Sequence, residues 1–99
     1  MDLTRRLRPL QDAYDQAAAD YAAARRTFES ARNAYDSRRR YAPTGAETER
    51  ARAAWAMAGH EWMRALVARE MARDQLASER RDVDQAAADH FLTPTRRSR

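Results

Sequence analysis

The sequence predicts an all-α fold, two long helices folded back on each other as an antiparallel coiled-coil hairpin with an alanine-rich seam and a turn at about 42–45. Three observations predict it. Leu7, Tyr14, Tyr21, Phe28 and Tyr35 recur every seven residues, and Leu10, Ala17, Ala24 and Ala31 each follow three residues after one of the first four. That is a heptad seam, mostly large at one position and mostly small at the other. A second ladder, Trp55, Trp62, Arg69, Leu76 and Val83, has the same spacing, with Ala51, Ala58, Ala65, Ala72, Glu79 and Ala86 in its second position. Finally, the ladders are complementary. If the chain reverses at Pro43, residue i faces residue 86 − i, so Tyr35 meets Ala51, Phe28 meets Ala58, Tyr21 meets Ala65 and Tyr14 meets Ala72. In the other sense Trp55 meets Ala31, Trp62 meets Ala24, and Leu76 meets Leu10. Matching each ring to an alanine keeps the volume per layer constant, as close packing requires.

The elements follow in order. The first helix spans about 8–41; Asp2 or Thr4 could cap an earlier start, but Pro9 is tolerated in a first turn and bends an interior one. Nothing from Leu10 to Tyr41 breaks it, and Arg38, Arg39 and Arg40 complement the negative end of its dipole. Ala42-Pro43-Thr44-Gly45 is the interior turn signal. Thr44 and Glu47 have the spacing of a capping box for a second helix over about 45–91, in which Gly59 costs about 1 kcal/mol of propensity. Pro94 ends the pattern, leaving 93–99 as a flexible basic tail after a single hairpin domain, 1–92. Arg69 and Glu79 place charges in the seam, facing Ala17 and Leu7, a cost unless the head groups reach water.

Composition narrows the function classes. There is no cysteine, so disulfide and thiolate–metal chemistry are excluded. All 19 basic residues are arginine and 23 residues are alanine, a bias that suits a GC-rich genome such as that of an actinobacterium or its phage. The net charge of +4 implies weak attraction to polyanions, tempered by 15 acidic residues. No apolar run approaches the roughly 18 residues of a membrane span, and the first ten residues lack the apolar core of a signal peptide. The expected setting is the cytoplasm, or a virion if the origin is a phage, with no membrane partner.

Enzyme chemistry is not expected, and neither a cofactor nor a metal is. His60-Glu61 opens like a zinc-protease helix motif, but the second histidine position holds Arg64. There is no Gly-rich phosphate loop, and no nucleophile has a base beside it.

A two-helix seam buries little, and the waist of the rod offers further surface. Met63, Val67 and Met71 form a stripe on the back of the second helix, at the height of Ala19, Ala22 and Ala23 on the first. These six are the candidate partner contacts, for self-association into a dimer or larger assembly or for a partner helix. One edge of the seam carries Arg25, Arg32 and Arg39 with Arg52, Arg73 and Arg80; the other carries Asp20, Glu61, Asp82 and Asp89. The arginine edge is the candidate contact for something acidic: another copy, an acidic protein or phosphates.

The leading expectation is therefore a non-enzymatic coiled-coil interaction protein, a scaffold, adaptor or structural subunit. An arginine-edged nucleic-acid-binding accessory protein is the alternative, weakened because the rings are committed to the seam and leave no stacking platform. Third is a secreted helical hairpin. The chain resembles the WXG100 secretion substrates in length and shape, but its turn, Pro43-Thr44-Gly45, lacks their Trp-x-Gly, and no Tyr-x-x-x-Asp/Glu follows the second helix.

Overall fold

The structure is a computed structural model that describes the backbone of residues 3–97 and the side chains of residues 5–91. Two helices, α1 (Leu3–Tyr41) and α2 (Ala46–Arg97), pack side by side as a hairpin. The rod measures 83 × 15 × 14 Å. Its long axis is set by α2, since 52 residues at about 1.5 Å each span about 78 Å.

Every seam position of both heptad ladders is buried or half-buried. Tyr35, Ala58, Leu76 and Val83 are the most deeply buried apolar side chains; Leu10, Tyr14, Tyr21, Phe28, Trp55 and Trp62 are half-buried. The seam is one residue layer thick, so its rings keep an edge toward solvent.

Within the seam the rings form a column that alternates between the arms. Tyr35 stacks on Trp55 with centroids 5.4 Å apart, and Trp55 meets Phe28 at 6.2 Å. Phe28 meets Trp62 at 4.9 Å, and Trp62 meets Tyr21 at 6.2 Å. Arginines close both ends. The Arg69 guanidinium lies 4.0 Å from the Tyr21 centroid, and those of Arg52 and Arg39 lie 5.4 and 5.8 Å from that of Tyr35. The spacings are those of favourable ring pairs and cation–π contacts. The expectation set each ring against an alanine of the other arm; the structure also brings ring against ring across the seam, most closely Phe28 and Trp62. Gly59 lies beside Phe28, and a Cβ added there would meet Phe28 Cε2 at 3.4 Å.

The two seam charges are accommodated. Arg69 keeps its head group on the Tyr21 ring and 3.4 Å from Glu70. Glu79 forms an ion pair with Arg6, which accounts for a basic residue on the otherwise acidic edge.

The helix boundaries differ from expectation at three places. α1 runs back through Pro9 to Leu3. Proline removes one backbone hydrogen bond. Packing of Leu7 and the Arg6–Glu79 pair hold the turns before it against α2. α2 continues to Arg97, past Pro94, rather than ending at residue 91. The caps expected of Asp2 and Thr4, and the side chains of the basic tail, lie outside the described residues. At the turn, Gly45 rather than Thr44 is the N-cap: its carbonyl accepts the first α2 hydrogen bond, from Glu49 N–H at 3.0 Å. The Thr44–Glu47 box is therefore one residue out of place. Glu47 instead accepts a hydrogen bond from Arg38 Nη1 at 2.6 Å. Thr48, only 1% exposed, donates its hydroxyl to the Ala42 carbonyl at 2.6 Å, tying the start of α2 to the end of α1.

Two buried donors stand out. The indole N–H groups of Trp55 and Trp62 have no acceptor among the described residues. An unmet buried donor costs about 1–3 kcal/mol. Two outcomes follow for thermal unfolding followed by circular dichroism. Trp62→Ala costs about 3 kcal/mol, whereas Trp62→Phe stays within about 1 kcal/mol of the parent, because the lost area is offset by removal of the unmet donor. Gly59→Ala raises stability by about 0.5–1 kcal/mol, since the gain in helix propensity meets only ordinary contact with Phe28.

Candidate protein-contact surfaces

The heptad that turns the rings inward turns a different set of residues outward. Met63, Val67 and Met71 succeed one another at four-residue spacing on the back of α2, and they are 56, 54 and 59% exposed. Met57, 68% exposed, extends the stripe toward the turn. The sequence pattern held the signal for it: Met57, Arg64 and Met71 share one heptad column. His60, Met63, Arg64, Val67, Ala68 and Met71 line a shallow, open depression built by α2 alone. Leu66 lies half-buried between stripe and seam.

On α1, Ala19 and Ala23 are exposed and Ala22 is half-buried. These occupy outward heptad positions of α1, as the methionine stripe does of α2, so they lie on opposite backs of the rod. The structure thus separates the six candidate contacts into two faces, an apolar one on α2 and a small-residue one on α1.

The arginine edge runs along one flank of the seam, but much of its charge is engaged within the hairpin. Arg25 pairs with Glu29 at 3.2 Å, and Arg73 pairs with Glu70. Arg52 pairs with Glu49 at 3.3 Å and donates from Nη2 to the Tyr35 hydroxyl at 2.9 Å. That hydrogen bond first, and the Glu49 charge second, raise the Arg52 pKa above the ordinary arginine value. Arg80 Nη2 donates to Gln11 Oε1 across the arms at 2.9 Å, and Arg39 rests over Tyr35. Arg32 meets no carboxylate among the described residues. On the other edge, Gln16 donates to Asp20 at 2.8 Å and Arg64 pairs with Glu61 at 3.3 Å.

His60 and His90 are both exposed. Among the described residues no cluster of histidines and carboxylates could hold a metal ion, and no helix is long and apolar enough to cross a membrane.

Two arginines on one edge should separate by mutation. Arg52→Gln loses the tyrosine hydrogen bond and the ring contact and lowers the denaturation midpoint; Arg32→Gln leaves it unchanged. Chemical denaturation of the two variants measures both. The chain matches no protein-family model, no curated protein and no solved structure.

Proposed function

We propose that this chain is a non-enzymatic coiled-coil interaction protein, an assembly, scaffold or adaptor subunit of a bacterial complex or phage particle, acting through the back of α2. One observation carries the reading. Met57, Met63, Val67 and Met71 stand more than half exposed on one helix of a rod whose own seam is a single layer. Large apolar side chains gathered on one exposed helix face are the mark of a docking surface. Binding of nucleic acid is the competing reading. It is disfavoured because carboxylates and a tyrosine engage most of the arginine edge, and because the seam rings are held between the arms.

The test is the mass in solution at micromolar concentration, by light scattering, beside nucleic-acid retention across a salt series. The reading expects a mass above the 11.4 kDa of one chain, lost in Val67→Asp/Met71→Asp with helicity kept, and no retention at low salt. A monomer that retains nucleic acid with affinity falling steeply in salt overturns it in favour of the competing reading.

A further inference from the structure

We infer that the partner on the back of α2 is the same surface of a second copy, docked antiparallel with Val67 on the twofold axis. This rests on the proposal that the stripe is a contact surface, and it names the occupant. A face that docks on itself must be complementary to itself under the twofold operation. Met63, Val67 and Met71 set the register, and Met57 then falls opposite Ala77. Met63 and Met71 are equidistant from Val67, so residue i of one copy lies at the height of residue 134 − i of the other.

That register has a consequence for the charges, which played no part in choosing it. His60 and Asp74, which share the outward column of Val67, face one another across the axis, twice in each dimer. One layer nearer the axis, Met63 and Arg64 of one copy share their level with Glu70 and Met71 of the other. Further out, Arg50 shares its level with Asp84. No level between residues 46 and 88 sets like charges together. On the outward columns of α2, Arg50 and Arg64 stand before Val67 and Glu70, Asp74 and Asp84 after it; Glu49 and Arg81 break the pattern, and in this register they fall opposite the uncharged Gln85 and Ala53. The antiparallel contact therefore pairs opposite charges that a parallel one would set like against like. The small-residue face of α1 lies on the other side of the rod, so the dimer closes and leaves that face open.

The test uses the full chain, which has no native cysteine to interfere. Val67→Cys, treated with a short bis-maleimide, is expected to give a covalent dimer in high yield, and Ala22→Cys, on the opposite face, to stay single. His60→Asp sets carboxylates against Asp74 at two symmetric places and is expected to weaken dimerisation about tenfold. Adding Asp74→His restores the pair with its members exchanged and should return affinity to within about threefold of the parent. Light scattering on the same samples separates the ways of failing. A dimeric mass without Val67 cross-linking, or His60→Asp without rescue, refutes this interface and leaves the contact reading standing. A mass that grows without limit with concentration refutes it in favour of an open stack of α2 backs on α1 backs. A single-chain mass at every concentration refutes both the interface and self-association through the stripe.

Discussion

The hairpin is held by one column of rings, drawn alternately from the two arms and bedded on alanine. Tyr35, Trp55, Phe28, Trp62 and Tyr21 each touch the next, and an arginine closes the column at either end. The constraint is steric before it is energetic. A ring that crosses the seam needs a small residue opposite, and Ala58 and Gly59 supply that space beneath Phe28. A slip of the arms by one turn would bring bulk against bulk and leave alanine facing alanine elsewhere, so register, arm spacing and turn position are set together. The remaining features depend on that choice. Thr48 lies one heptad before Trp55 and can reach the Ala42 carbonyl only because the arms sit at this height.

The column also decides what is left over. Once the rings turn inward, the charged columns fall to the two flanks and the methionine stripe falls to the back of α2. The exposed surface of this chain is therefore the complement of the packing surface, on the same helices and at the same period. The arginine edge illustrates how the two interact. Its members look like a free cationic track when only their spacing is considered, but glutamates three or four residues away and the Tyr35 hydroxyl draw several of them onto the rod. Among the described residues the apolar back has no such internal partner.

The fold class and the inward-facing positions were legible in the sequence because large residues at strict seven-residue spacing and alanines between them carry the geometry directly. Contact between successive rings was less legible. Facing pairs describe layers, whereas an aromatic ring spans from one layer to the next, so Phe28 reaches both Trp55 and Trp62. The cap moved from Thr44 to Gly45 because the cross-arm bonds of Glu47 and Thr48 outweigh a local reciprocal box. The start of α1 was misplaced for a similar reason: local proline chemistry argues for Arg8, and the tertiary contacts of Leu7 and Arg6 prevail. Of the surfaces, the stripe was visible as apolar residues off the seam. That it and the small-residue face of α1 point in opposite directions needed the arms in place.

The most direct measurement of the central claim is a set of proton–proton Overhauser contacts among the aromatic side chains in solution. The alternating column requires Phe28 ring protons to show contacts with the indoles of both Trp55 and Trp62, Trp62 to show contacts with Tyr21, and Trp55 to show them with Tyr35. Contacts between Phe28 and only one of the two indoles, or between Tyr21 and Trp55, would mean that the arms are splayed or slipped and would contradict the account.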